Sequence, residues 1–313
     1  MKEKLDALKY KLKSPFLDIG RPEESILLIG MGRSGTTWAA DIINHDKSYR
    51  ILFEPFFPSL VNEAKDFAYI QYMNPADNRA ALAAGAQKIL AGKTRSQWVD
   101  RDNKGILYRR RIIKDIRSNL MAGWLKKLAP RLPVIQLIRH PLQVACSWRK
   151  LGWGEEALGE RSDFDIIMSQ HRLLEDFPII KKIVQKINPD NFLDNVIFLW
   201  GVMHLVPLDQ FPTDKVYRLF YEHLLINPEA ECKKLFYYLH KEYSWDNVKE
   251  TVNRKSSTNF QNRNLSQDKN LLLHGWKKEL TGAEIERADE ILSMFGLEGV
   301  YDADGLPAGK EYS

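Results

Sequence analysis

The chain alternates short apolar runs with longer segments of helical period. Ile26–Ile29 is an uninterrupted apolar run, the pattern of a strand buried on both faces of a parallel sheet. Gly30, Gly32 and Gly35 break it, and from Thr36 the pattern turns helical. Tyr49–Phe53 reads as a second strand whose carboxyl end should fall beside that glycine-rich turn. Val134–Ile138 reads as another buried strand. His140-Pro141 then marks a helix entry, with Val144, Ser147 and Trp148 recurring at helical spacing. This alternation predicts an α/β fold, one domain with a central, mainly parallel sheet flanked by helices. We read residues 25–298 as that domain, 1–24 as an N-terminal extension and 299–313 as a tail. Residues 56–108 and 150–212 carry helical periodicity and are expected to form walls and a lid over a bound ligand. With 313 residues and 44% hydrophobic content, such a chain buries a substantial core.

A strand that runs through closely spaced glycines into a helix builds an anion cradle. The backbone N–H groups converge there, and the helix N-terminus favours negative charge. Gly30-x4-Gly35 has the spacing of the nucleotide-binding loop G-x-x-x-x-G-K-[ST], but Thr36 stands where that loop has lysine. Without a lysine to reach the β- and γ-phosphates, a metal-bridged triphosphate is disfavoured. The apolar runs ending at Ile138 and Trp200 are followed by Arg139 and Gly201, not by the aspartate expected on a partner strand in such sites. Arg33 instead places a permanent guanidinium in the turn, suited to bidentate recognition of a tetrahedral oxyanion. Arg139 at a strand end and Ser147 in the following helix can converge on a further anion, where open α/β sheets bind ligands.

Taken together, GRSGTTW (32–38) and RHPLQVACSW (139–148) resemble the sulfotransferases that use 3′-phosphoadenosine 5′-phosphosulfate (PAPS). The first resembles their 5′-phosphosulfate loop and the second their 3′-phosphate site. VYRLFYEHLLINPEAECKKLF (216–236) is similar to the family's strand, YEDL-x-x-NPE turn and helix. RKSSTNFQNRN through KNLLLHGWKKELT (254–281) is similar to its C-terminal loop and tryptophan-bearing helix start. The resemblance spans about residues 25 to 298. It implies a P-loop-NTPase-like fold, PAPS as co-substrate, adenosine 3′,5′-bisphosphate as product, and no metal. By position it implies that Arg33, Ser34, Gly35, Thr36 and Thr37 bind the 5′-phosphate and transferring sulfate. Trp38 would lie against adenine, Arg139 and Ser147 would hold the 3′-phosphate, and Tyr221 would contact the nucleotide. Where many members carry R-K-G this chain has Lys269-Asn270-Leu271, which leaves Lys269 as a basic contact, with Ser257 and Thr258 as candidate hydroxyl partners.

Sulfuryl transfer asks for a base, for cations that spread charge on the group in flight, and for a dry pocket. Arg33 meets the second need. Lys114, closing the apolar RRIIK run, resembles the family's catalytic lysine after a central strand. The histidine that serves as base two residues later in the cytosolic small-molecule branch is replaced by Ile116. Glu54 is similar in position to the base glutamate of the tyrosylprotein and carbohydrate branches, so the catalytic assignment is Glu54, Arg33 and Lys114. Flanked by Phe53, Pro55, Phe56 and Phe57, Glu54 is expected to be partly desolvated, with Arg33 and Lys114 opposing the resulting rise in its pKa. The same similarity leans toward a sugar or glycan hydroxyl as acceptor, with tyrosine peptides, lipid head groups and phenolic or steroid-like alcohols open. Phe56, Phe57, Trp98, Trp153 and Trp200 are aromatic candidates for stacking on a sugar face.

His45, His140, His171, His204, His223, His240 and His274 show no metal-ligand spacing with another His or Cys. His204, in VIFLWGVMHLV, reads as a satisfied core residue before it reads as a pocket wall. Cys146 and Cys232 fall in helical stretches and read as reduced thiols of a cytoplasmic protein. No apolar span of membrane length is expected, and the basic N-terminus MKEKLDALKYKLKSPF rests either on a membrane surface or on the protein itself. A formal charge of +5 suits a highly anionic donor. No nucleic-acid partner is expected, because Arg109–Arg111 and the neighbouring cations read as a solvated rim without a recognised nucleic-acid motif. Two rival readings are a P-loop small-molecule kinase using ATP and a non-catalytic nucleotide- or nucleic-acid-binding module.

Overall fold

The computed structural model describes residue 10 and residues 18–154, 162–212, 215–254 and 269–308. The strands β1 (Ser25–Gly30), β2 (Tyr49–Phe53), β3 (Arg110–Asp115), β4 (Val134–Ile138) and β5 (Tyr217–Phe220) form one parallel sheet in the order β2-β3-β1-β4-β5. Register pairs Leu27 with Ile113 on one side and with Val134 on the other, so β1 is hydrogen-bonded along both edges. That central position accounts for its unbroken apolar run. The chain crosses from one half of the sheet to the other around β1, which puts the glycine turn at the switch point where such sheets bind ligands.

Helices cover both faces. α1 (Thr36–Ile43) follows β1, α2 (Ala80–Leu90) and α3 (Ala122–Leu128) flank β3 in sequence, and α4 (Pro141–Arg149) follows β4 with proline in its first turn. Then come α5 (Asp163–Met168), α6 (His171–Asp176), α7 (Ile179–Val184), α8 (Phe192–Gln210), α9 (Tyr221–Ile226), α10 (Pro228–Tyr238) and α11 (Trp245–Asn253). α12 (Lys269–His274), α13 (Trp276–Glu279) and α14 (Gly282–Met294) complete the set. Alternation along β1 divides the core: Ile26 and Leu28 pack with α1 and α9–α11, while Leu27 and Ile29 pack with α2 and α3. A third apolar cluster joins α4, α8 and α14. At 19 residues with a mean hydropathy of 1.3, α8 is long and apolar enough to cross a membrane, although no such span was expected from sequence. Nearly all round it is buried inside the protein, as a core helix is.

Several sequence expectations change here. Val196–Trp200 lies inside α8, and the strand that does end in aspartate is β3, at Asp115. Its carboxylate accepts from the backbone N–H of Phe56 at 2.9 Å and of Arg117 at 2.7 Å, so both oxygens brace the turns beyond the sheet. Phe56 and Trp200 are about 1% exposed and belong to the core, not to an open pocket. The arginine run is no uniform rim. Strand alternation leaves Arg110 exposed and turns Arg111 inward, where it forms a bidentate pair with Asp18, both contacts at 2.7 Å. Arg50, also fully buried, pairs with Asp100 at 2.7 Å and Asp18 at 3.3 Å. This ionic cluster lies beside the amino ends of β1 and β3, away from the glycine turn.

Candidate active site

The cradle forms where β1 ends. Arg33 has φ of 71° and Gly35 φ of 102°, and Ser34 N–H donates to the Met31 carbonyl at 3.1 Å. The left-handed backbone at Gly35 disfavours any side chain, and a Cβ there would lie 2.7 Å from the Tyr221 ring. Gly35 thus lets the turn close against α9 and launch α1, with Thr36 buried and Thr37 following it.

Long-range folding brings the later strand-end arginine to the same place. Arg139 donates from its guanidinium to the Arg33 carbonyl at 2.9 Å, and its charge lies 4.2 Å above the Tyr221 ring. Arg33 Nε donates to Ser147 Oγ at 3.2 Å, so its side chain meets the last turn of α4, while the described partners of Glu54 are Lys114 and Arg117. Among the described residues neither arginine has a carboxylate within ion-pairing distance. Burial and the neighbouring Arg139 both push the Arg33 guanidinium below its usual range. Two cations brought together in this way, with the Ser147 hydroxyl beside them, are chemically suited to an anion. Ser34 Oγ, fully buried, and Arg139 Nε have no hydrogen-bond partner among the described residues. A nucleotide carrying two anions fits this donor set.

Other nucleotide candidates fall differently. Trp38 is buried at the α1–α11 contact, donating to the Val252 carbonyl at 3.2 Å and meeting Tyr221 edge-on at 5.3 Å. Lys269 opens α12 and is exposed, without a hydrogen bond or ion pair among the described residues. Ser257 and Thr258 lie outside the described residues. His140 stacks on Trp276 at 4.6 Å, and burial pulls its pKa down to about 3, so the ring is neutral. His204 Nδ1 contacts the Trp200 carbonyl at 2.7 Å in the core.

Glu54 and Lys114 sit at the carboxyl ends of the paired strands β2 and β3. Lys114 Nζ donates to Glu54 Oε1 at 2.7 Å, and Arg117 donates to Oε2 at 2.6 Å. Burial pushes the Glu54 carboxyl up, but the Lys114 ammonium and Arg117 guanidinium together overcome that and hold it below the usual range. Arg117, and not Arg33 as expected from sequence, supplies the second cation on Glu54. Arg117 also lies 4.0 Å over Phe57 and 4.5 Å over Tyr69, and donates to the Tyr69 hydroxyl at 2.9 Å. Its one sequence signal is a cation three residues after Lys114. Glu54 itself has φ of 45°, a rare conformation for a residue with a side chain, kept where its surroundings fix it. A cleft of about 300 Å³ is lined by Thr37 of the cradle helix, Phe53 and Lys114, together with Asp41, Arg101, Asp102 and Lys104.

Residues 23–294 match the family model for the sulfotransferase domain. Among solved structures, the chain is similar to the sulfotransferase domain from the curacin biosynthetic pathway, at 17% identity and a TM-score of 0.47, over 86% of this chain and 97% of that one. It is similar to the sulfotransferase domain from the Synechococcus PCC 7002 olefin synthase at 15% identity and 0.47, over 90% and 96%. The mouse sulfotransferase SULT7A1 complexed with PAP stands at 15% and 0.46, over 91% and 87%. No curated protein sequence matches the chain. The family model covers most of the chain and coincides with the span of the motif resemblance: this chain belongs to the sulfotransferase domain family, whose enzymes use PAPS.

Proposed function

We propose that the protein transfers a sulfuryl group from PAPS to an acceptor hydroxyl, with Glu54 as general base and a sugar or glycan as the acceptor class. The observation that carries the donor assignment is the pair Arg33 and Arg139, joined through the Arg33 carbonyl, with no carboxylate at ion-pairing distance from either among the described residues. When bound, the donor supplies the sulfuryl group and an anionic leaving group. The chain supplies position and charge. Ser34, Gly35, Thr36 and Thr37 offer backbone N–H groups and hydroxyls at the start of α1, while Arg139, Ser147 and Arg33 offer cationic and hydroxyl donors beside Tyr221. Lys114 and Arg117 keep the Glu54 carboxylate ionised at neutral pH. Each carboxylate oxygen retains a lone pair beyond its present hydrogen bond, so Glu54 can take a hydroxyl proton without releasing either cation. The lining of the cleft, with the carboxylates of Asp41 and Asp102 and the cations of Arg101, Lys104 and Lys114 around Phe53, supports a polyhydroxylated acceptor over a steroid-like one. Incubation with radiolabelled PAPS and a panel of sugars, tyrosine peptides, phenols and steroids tests this. Label on a sugar is the expected result. Label only on phenols or steroids, or turnover that needs ATP and Mg²⁺ instead, contradicts it.

A further inference from the structure

Trp153 is 40% exposed, yet its indole is fixed against the cradle. Its backbone N–H donates to the Trp148 carbonyl at 3.1 Å, its ring meets Trp148 edge-on at 5.7 Å, and Trp148 Nε1 donates to the Gly32 carbonyl at 3.0 Å. The Arg33 guanidinium lies 6.0 Å from the Trp153 ring. A Cβ on Gly32 would lie 2.9 Å from Trp153 Cζ3 and 3.5 Å from Ile116 Cδ1. Trp153 and Ile116 therefore share one apolar wall over Gly32, two residues along the chain from Lys114. Gly152 and Gly154, at φ of 64° and 81°, bend the backbone on either side of Trp153.

An apolar wall contributes nothing to holding an anion. It does decide which nucleophile reaches one, because water gains no contact from it whereas the carbon frame of an organic alcohol does. We propose that Trp153 is the residue that makes the enzyme select an organic hydroxyl over water. This rests on the sulfuryl-transfer reading above. In the competing reaction a water oxygen bonds to sulfur, the bond from sulfur to the 5′-phosphate oxygen breaks with its electrons leaving on the phosphate, and the water's proton passes to base. The products are sulfate and adenosine 3′,5′-bisphosphate.

The test measures sulfate release from radiolabelled PAPS without acceptor, alongside calorimetric Kd for adenosine 3′,5′-bisphosphate, in the parent, Trp153→Ala and Trp153→Phe. Loss of the indole is expected to raise hydrolysis about tenfold with Kd changed less than about twofold, and phenylalanine to restore most of the protection. Gly32→Ala displaces the ring while keeping it, and is expected to move hydrolysis the same way. Unchanged hydrolysis in Trp153→Ala and Gly32→Ala overturns the inference. So does a loss of nucleotide affinity in Trp153→Ala that matches the change in rate, which would make the ring a donor-binding group. A parent protein that does not bind the bisphosphate removes the donor reading and this inference together.

Discussion

Glu54→Gln keeps the shape of the side chain and removes the charge that lies between Lys114 and Arg117. Two consequences have to be separated. Removing one member of a buried ion pair leaves its partner uncompensated, at a cost of about 3–5 kcal/mol. A domain stable by about 5–15 kcal/mol still keeps most of its molecules folded after all but the largest such loss. Removing a general base, by contrast, lowers the chemical rate by about 10²–10⁴. A rate loss of that size in a variant that melts cooperatively therefore reports on chemistry and not on folding. The assay is kcat at saturating PAPS and acceptor, with urea denaturation and bisphosphate Kd measured on the same preparation. We expect kcat to fall by at least about a hundredfold while Kd stays within about threefold. Because its cations hold Glu54 below the ordinary carboxylate range, the parent should show no acid limb from this group near neutral pH. A glutamine variant with nearly parental kcat refutes the base assignment. An equal loss in Kd would make Glu54 an organiser of the donor site.

Two further predictions concern stability. Asp18→Asn strands Arg111 and weakens the hold on Arg50, both fully buried, and should cost about 3–5 kcal/mol in urea while leaving kcat of the folded protein unchanged; a loss under about 1 kcal/mol contradicts this. Glu222, behind Arg139, accepts from the His140 backbone N–H at 3.0 Å and the Tyr301 hydroxyl at 3.1 Å, and burial pushes its pKa from 4.5 up to about 7. Between those values the folded chain holds a proton that the unfolded chain has lost. Its contribution is therefore full below 4.5 and fades by about 3 kcal/mol as pH rises to about 7. His140, pulled down to about 3, acts in the opposite sense, so the stability difference between parent and Glu222→Gln isolates the carboxyl. That difference should shrink between about pH 5 and pH 7.5, and a flat difference contradicts the assignment.

The cradle was legible because its signals are local. An apolar run, glycines and a helix start occupy consecutive positions from Ser25 to Ile43, and each fixes its own backbone. The strand at Val134–Ile138 and the proline entry to α4 were legible for the same reason. What escaped depends on neighbours far along the chain. Glu54 meets Arg117 across 63 residues, and nothing in either segment names the other. Arg111 differs from Arg110 only by strand alternation and by the arrival of Asp18. Phe56 and Trp200 carry the composition of a sugar platform, but aromatic rings are buried or exposed by packing, and these two are buried. The chemistry of Arg33 was readable from its type, whereas its direction, toward Ser147, was set by α4.

Sulfuryl transfer from PAPS by this protein requires Arg33 and Arg139 to serve one nucleotide with anions at both its 3′ and 5′ positions. Calorimetry with adenosine 3′,5′-bisphosphate and adenosine 5′-monophosphate, on the parent and on Arg139→Gln, measures this directly. The parent is expected to prefer the bisphosphate by at least about tenfold, and Arg139→Gln to abolish the preference. Equal affinity for the two nucleotides in the parent, or no uptake of the bisphosphate, contradicts it.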